Sequence, residues 1–262
     1  MAYKRALEAQ GCSSFTMSNY LVVVRRFFEW AEGMKLYPNI AKGVKGAKHP
    51  KGFKKDPLTV DQAKALLSSI DRSTLLGKRN FALINLLLKT GLRTIEAVRA
   101  DVGDIRQQSG EAILWIHGKG RDAKDEFVLL TEKTLKPINE YLAERDRGEA
   151  APLFASLSDM NYGQRLTTRS VSRIVKGYLR RIGLNSDRLT AHSLRHTAIT
   201  LALKGGATIQ EAQALGRHAN INTTLIYAHN IDRLTQAPER KIDAVLNGVG
   251  QEGVNVREGV SA

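Results

Sequence analysis

With 262 residues, of which 42% are hydrophobic, the chain has the length and composition of about two globular domains, which excludes a disordered or fibrous protein. The sequence has no apolar run of the roughly 18 residues that a membrane span requires, no signal peptide and only one cysteine, so we expect a cytoplasmic protein with no membrane partner, disulfide or cysteine-rich zinc module. Lys and Arg number 40 against 26 Asp and Glu, and this net charge of +14 favours a nucleic acid partner over a basic surface that binds nothing.

Two helices are predicted at the N-terminus, over residues 3–10 and 13–33. Apolar side chains recur at helical spacing in the second helix: Tyr20, Val24, Phe27 and Trp30. Ser14 or Thr16 can cap its start. Because two helices bury too little surface for an independent domain, we expect residues 1–41 to be only part of a helical domain.

A basic segment follows these helices. Residues 42–55 contain six Lys, three Gly, one Pro and no acidic residue. Glycine and proline interrupt helices and strands, and the lysines repel one another. We interpret residues 42–57 as a basic linker between domains, with a solvated surface loop as the alternative.

The rest of the chain, residues 58–245, is predicted to be mainly helical with one small sheet. Thr59 and Gln62 have the spacing of a capping box, and an apolar stripe follows at Ala63, Leu66, Leu67 and Ile70. Residues 79–90 are apolar nearly all round, which predicts a buried helix that stops at Gly91. Two β-rich runs, 111–116 and 126–130, predict a hairpin.

Helical periodicity returns after the hairpin. It predicts helices over the following ranges: 131–146, 168–182, 193–204, 209–215, 222–229 and 232–246. Thr208 and Glu211 form a second capping box. The glycine-rich residues 246–262 are expected to be a flexible tail. The predicted fold class is therefore mainly α with a small antiparallel β-sheet (α+β).

Polar residues in apolar surroundings mark two segments. Arg93 follows the turn after the most buried helix, where an unpaired guanidinium is costly, and an ion pair with Glu96 that only caps a helix is the structural alternative. In residues 190–203, His192 and Arg195 share one face of a helix start. His196 follows His192 by four residues, but without an intervening glutamate we expect no metal there, and a core histidine is the alternative for either ring.

A third such segment comes near the C-terminus. His218 lies in a predicted turn, and Tyr227 lies on a short helix nine residues later. Taken alone, such a tyrosine is ordinarily a core residue.

Together these residues suit attack on a DNA phosphodiester. Two arginines can grip the anionic oxygens, and histidines can hold or accept a proton near neutral pH. A tyrosine hydroxyl, with a reference pKa of about 10, becomes a nucleophile when neighbouring cations favour its phenolate. Lys119, on the predicted hairpin turn, can protonate the leaving 5′-oxygen. No G-x-S-x-G motif occurs, and Cys12 is far from every histidine-bearing segment.

The order and spacing of these residues resemble the tyrosine recombinase (phage integrase) family, over residues 58–245. The resemblance rests on the following residues: Arg93, Lys119, His192, Arg195, His218 and Tyr227. Residues 3–30 also resemble the second half of that family's helical core-binding domain. The first helices of that domain are missing, so we expect an N-terminally shortened form or fragment.

The resemblance implies a role for each residue. Tyr227 would attack the scissile phosphate to give a 3′-phosphotyrosyl link and a free 5′-hydroxyl. The phosphate oxygens would be held by Arg93, Arg195 and His218. His192 would assist proton transfer from Tyr227, and Lys119 would protonate the leaving oxygen. No cofactor is implied, neither ATP nor metal.

The resemblance also implies partners. These are double-stranded DNA at a specific site, a homotetramer on synapsed DNA that is a monomer when free, and accessory DNA-bending proteins as further candidates. The chain would serve a mobile genetic element or a chromosome in the bacterial nucleoid. Two features depart from the family: Arg217 stands between Gly216 and His218, and Lys124 is an alternative to Lys119 as general acid.

Two other functions are weighed against recombination. A type IB topoisomerase uses the same chemistry without synapsis, but residues 1–41 and the lysine-rich linker favour an enzyme that wraps one specific site. A DNA-binding regulator could use residues 193–217 as a helix-turn-helix. That interpretation leaves Arg93, Lys119 and Tyr227 unexplained.

Overall fold

The computed structural model describes most of the chain. The described ranges are 2–48, 55–117, 123–145, 148–228 and 238–246. The chain forms two compact units, residues 1–52 and 53–262. Lys119 and the tail from residue 247 onward lie outside the described residues. Within the described residues, no helix is long and apolar enough to cross a membrane.

The first unit contains the two predicted helices, α1 (Ala2–Ala9) and α2 (Ser14–Gly33). The predicted cap of α2 is wrong by one residue. Ser13 is the residue with extended backbone, and its hydroxyl accepts a hydrogen bond from the Thr16 amide at 3.2 Å. Ser14 is already helical, and only the residue before the first turn can aim its side chain back at these free amides.

The predicted apolar stripe of α2 is largely exposed. Tyr20, Phe27 and Trp30 expose 47%, 55% and 54% of their surface, whereas Leu21 and Ala31 are buried. The aromatic residues share one helix face, as their spacing predicts. Leu21 and Ala31 are covered instead within this unit, in which α1 packs against α2.

The second unit begins with helices and a sheet. In chain order its first elements are α3 (Val60–Ser68), α4 (Leu75–Thr90), α5 (Thr94–Arg99), β1 (Ile105–Gln108), β2 (Glu111–His117) and β3 (Lys124–Leu129). It continues with α6 (Glu132–Leu142), α7 (Thr168–Arg181), α8 (Ala191–Lys204), α9 (Ile209–Gly216), α10 (Ile221–Ala228) and α11 (Pro238–Leu246). The strands form one antiparallel sheet in the order β1-β2-β3, so the predicted fold class is confirmed.

Helix α4 is the centre of the core of the second unit. Its residues from Ala82 to Leu88 are all buried, and it packs against α6 and α8. It ends at Gly91, whose φ of 61° is left-handed and suits a residue without a Cβ. Both the buried helix and its end were predicted, because a helix surrounded by apolar residues must be covered on all sides.

Local signals placed several other boundaries. Both predicted capping boxes are present, at Thr59 with Gln62 and at Thr208 with Glu211. Strand β1 and helix α5 were not predicted, because β1 has the sequence IRQQ without apolar alternation and α5 has only six residues. Helix α8 begins two residues earlier than predicted, which places His192 in its first turn.

The end of the predicted linker contacts the second unit. The Lys55 ammonium donates to the Asp187 carbonyl at 2.6 Å, and Asp56 forms an ion pair with Arg188. The Leu58 amide donates to the Thr197 hydroxyl at 2.8 Å. These bonds fix residues 55–58 beside the start of α8.

Candidate active site

The first part of the site is the turn that follows α4. Arg93 is the residue before α5, and Glu96 accepts hydrogen bonds from both its amide and its guanidinium, each at 2.7 Å. The Glu96 side chain is fully buried, while 30% of the Arg93 side chain is exposed. The ion pair offered above as a structural alternative is therefore present, and it does not bury the Arg93 side chain completely.

The second part is Arg195 on α8, which is 2% exposed. Its guanidinium donates to the Gly91 carbonyl at 2.6 Å and to the Gly216 carbonyl. Burial lowers the pKa of Arg195 to about 10, and the positive charges of Arg93 and Arg217 act in the same direction. A bound anion would offset the repulsion between these positive charges, so the arrangement suits a phosphate.

The third part is the turn between α9 and α10. His218 shares a hydrogen bond of 2.9 Å between its Nδ1 and the Thr224 hydroxyl. Gly216 leaves room for this imidazole, because a Cβ at that position would lie 2.8 Å from Cε1 of His218. His218 is thus held in one orientation by Gly216 and Thr224, to which the sequence analysis gave no role at the site.

Tyr227 lies between two imidazole rings. Its ring centroid is 5.2 Å from that of His196 and 5.8 Å from that of His218, and only 2% of the residue is exposed. Buried apolar residues complete its surroundings, among them Ile199 and Leu203. Tyr227 therefore occupies a core position, which was the structural alternative for this residue, and it lies next to the residues of the predicted site.

The arginines near Tyr227 favour its phenolate, but burial has the larger effect on its pKa. Burial raises its pKa to about 12, and the charges of Arg195 and Arg93 lower it by less than burial raises it. Burial and nearby positive charge also lower the pKa of both His196 and His218 to about 4. At neutral pH the site therefore holds a neutral phenol and two neutral imidazoles.

His192 lies at the edge of this group. The residue is exposed, and its ring meets that of His196 edge to face at a centroid distance of 4.7 Å. Partial desolvation and then the charges of Arg195 and Arg93 lower its pKa, so it too favours the neutral form. Among the described residues, no group of three or more His, Cys, Asp or Glu is arranged to hold a metal ion.

The two lysines proposed as general acid differ in what can be said of them. Lys119 lies outside the described residues. The Lys124 ammonium donates to Asp104 at 2.7 Å and to Asp101 at 3.0 Å. Although partial desolvation acts in the opposite direction, these carboxylates raise the pKa of Lys124, which makes it a poor proton donor.

A cleft of about 590 Å³ opens beside the site, between the start of β3 and α9. Arg217 and His218 lie on one side of it, and Glu126 and Phe127 lie on the other. Arg217 was noted in the sequence only as a departure from the family. Here its guanidinium donates to Glu96 at 2.9 Å, so it is a member of the site.

Comparisons with known proteins agree with this geometry. A family model described as the phage integrase family matches residues 57–233. Over 218 residues the chain is 31% identical to the tyrosine recombinase XerC of Chlamydia trachomatis serovar L2. This match covers 83% of this chain and 67% of the relative.

Solved structures share the fold. The XerH site-specific recombinase bound to palindromic difH substrate, in a post-cleavage complex, matches 92% of this chain and 70% of its own chain with a TM-score of 0.71 and 23% identity. The same recombinase bound to difH substrate in a pre-cleavage complex matches 89% of this chain and 66% of its own chain, with a TM-score of 0.67 and 25% identity. The chain therefore belongs to the phage integrase family, the tyrosine-type site-specific recombinases.

Proposed function

We propose that this chain cuts and rejoins double-stranded DNA at a specific site, with Tyr227 as the nucleophile. The observation that carries the proposal is the convergence of two turns, which carry Arg93 and His218, and of helix α8, which carries Arg195, next to the ring of Tyr227. Two arginines and a histidine beside a tyrosine match the needs of phosphoryl transfer, since the transition state gains negative charge. The family relationship supports the same reaction over a topoisomerase or a regulator.

The arginines and His218 bind the scissile phosphate in this proposal. Guanidinium groups keep their charge and can grip two oxygens at once. The backbone carbonyls that they already hold fix the positions of Arg93 and Arg195. A bound phosphate would offset the repulsion between Arg93 and Arg195. Binding energy would then be realised most strongly as charge develops in the transition state.

The nucleophile needs activation, because a buried phenol with a pKa of about 12 does not attack at neutral pH. We infer that Tyr227 leaves its ring stack as DNA binds. Its oxygen forms a bond to phosphorus while the bond from phosphorus to the 5′-oxygen breaks. The phenol proton passes to the neutral imidazole of His192, and Lys119 gives a proton to the leaving oxygen. Every proton and electron pair is thus accounted for by this chain and the DNA, without ATP or metal.

The assembly follows from the same proposal. Residues 1–41 would clamp the DNA as part of a core-binding domain, and residues 42–57 would link it to the catalytic domain at 58–245. Exchange of strands between two duplexes requires several protomers, and we propose a homotetramer on synapsed DNA that is a monomer when free. We further propose that DNA-bending proteins assist the reaction and that the chain acts in the bacterial nucleoid.

Covalent trapping tests the proposal directly. A randomised duplex library, nicked so that the fragment carrying the 5′-hydroxyl escapes, is incubated with the protein in EDTA. We expect a protease-sensitive DNA adduct with the wild type and with Tyr162→Phe, which changes an exposed tyrosine. Tyr227→Phe should give no adduct while it still binds DNA. An adduct formed by Tyr227→Phe, or no adduct with wild type, contradicts the proposal.

A further inference from the structure

We propose that Arg217 is a positioning residue for the cleavage step: it holds the buried carboxylate of Glu96, so that Arg93 is free to bind the scissile phosphate. This inference rests on the proposed function. It concerns the position at which the chain departs from the family pattern, since Arg217 separates Gly216 from His218. No catalytic role is assigned to Arg217 itself.

Arg217 joins the two turns that carry Arg93 and His218. Its guanidinium donates to the Glu96 carboxylate at 2.9 Å and to the Gly91 carbonyl at 3.3 Å. In return, the Arg93 guanidinium donates to the Arg217 carbonyl at 3.2 Å. A change in the side chain of Arg217 would therefore be felt at both turns.

The charge of Glu96 explains why a second arginine is needed. Its side chain is fully buried, and within the described part of the chain it accepts hydrogen bonds from Arg93 and Arg217. A buried carboxylate without a cation is strongly destabilised. If Arg93 turned toward a phosphate and Arg217 were absent, Glu96 would be left without these guanidinium partners and would pull Arg93 back.

The backbone at Arg217 supports a specific use of its side chain. Its φ of 48° and ψ of 50° are left-handed, a conformation that favours glycine at the end of a helix. An arginine is found there instead, with a side chain that is only 7% exposed. An arginine at an exposed helix end would be expected on the surface. The Arg217 guanidinium instead lies in the interior of the site.

The test measures the rate of single-turnover cleavage at the trapped DNA site. Four proteins are compared: wild type, Arg217→Gln, Arg217→Lys and Arg72→Gln. Arg72 is the matched control, because it pairs with Glu140 outside the site. We expect Arg217→Gln to lower the rate at saturating DNA by about 10–100-fold, the loss found when a supporting partner of a reactive group is removed. The DNA concentration that gives half of that rate should change little. Arg217→Lys should recover part of the rate, and Arg72→Gln should match wild type.

Two further readouts separate positioning from stability. Without Arg217 the pKa of Glu96 rises, so cleavage by Arg217→Gln should fall on acidification at a higher pH than in wild type. The double variant Glu96→Gln/Arg217→Gln has no buried carboxylate to hold, so it should cleave faster than Arg217→Gln and should fold even if the single variant does not.

Each contrary result overturns the inference in a distinct way. Wild-type cleavage by Arg217→Gln shows that Arg93 does not need the second arginine. Additive decreases of the rate in the double variant, or an unchanged pH profile with a lowered unfolding midpoint, assign Arg217 to stability alone. By contrast, absence of an adduct with wild type contradicts the proposed function and leaves the ion pairs of Glu96 as a structural feature.

Discussion

At the residue scale, the absence of a Cβ at Gly216 determines where the His218 ring can lie. Its backbone is not left-handed, so an alanine there would be tolerated by the chain itself. The obstacle is the ring of His218, since a Cβ would lie 2.8 Å from Cε1, 3.0 Å from Nδ1 and 3.1 Å from Nε2. The ring would have to move and would lose its hydrogen bond with Thr224.

Gly216→Ala is therefore expected to lower the rate of covalent cleavage by about tenfold or more, because misplacement of a reacting group by about 1 Å has costs of this order. Gly177→Ala is the matched control: a Cβ at Gly177 in α7 meets nothing within 4 Å. It should leave cleavage unchanged and should raise the free energy of unfolding by about 0.5–1 kcal/mol. Equal cleavage rates for the two variants would show that His218 tolerates displacement.

Residue types and spacing singled out most residues of the candidate site, but not the pairing of Glu96 with Arg217. Arg93, His218 and Tyr227 were singled out because their chemistry fits one reaction. The bond between Glu96 and Arg217 could not be predicted, because 121 residues separate the partners and only the fold brings them together. The burial that raises the pKa of Tyr227 could not be predicted for a related reason, because burial depends on three-dimensional neighbours.

At the scale of elements, the end of α4 supports the site. Gly91 ends the helix with a φ of 61°, and its carbonyl accepts hydrogen bonds from Arg195 and Arg217. A residue with a Cβ costs about 1–2 kcal/mol in this conformation. Helix geometry and arginine placement are therefore coupled at one peptide.

Gly91→Ala should lower both the free energy of unfolding, by about 1–2 kcal/mol, and the cleavage rate. Gly183, which follows α7, supplies the control. Its φ of 79° is also left-handed, and a Cβ there meets nothing within 4 Å. Gly183→Ala should lose similar stability, measured by denaturant unfolding, without loss of cleavage. If both variants cleave alike, the shape of the turn at Gly91 does not matter for the reaction.

At the scale of the whole molecule, the positive charge is concentrated early in the chain. Residues 1–56 carry eleven Lys and Arg against four acidic residues. Replacing Lys42, Lys45 and Lys48 by Gln should weaken DNA binding and reduce the slope of log affinity against log salt by about 0.9 for each DNA phosphate that the variant no longer neutralises. The same replacement at three lysines of the second unit controls for net charge: Lys64, Lys78 and Lys136. Equal salt-dependence slopes for the two triple variants would favour the alternative interpretation, in which residues 42–57 are a solvated loop that does not bind DNA.

The sequence by itself determined the elements with strong local signals: two capping boxes, the buried helix α4 with its glycine end, and strands β2 and β3. It also determined the family, because a few reactive residues recur in a fixed order. These signals are short in range, so neighbouring residues suffice to express them. Only the tertiary structure decided which face of α2 is covered, which cation holds Glu96 and whether Tyr227 meets water. Those outcomes depend on desolvation and on contacts between residues far apart in the chain.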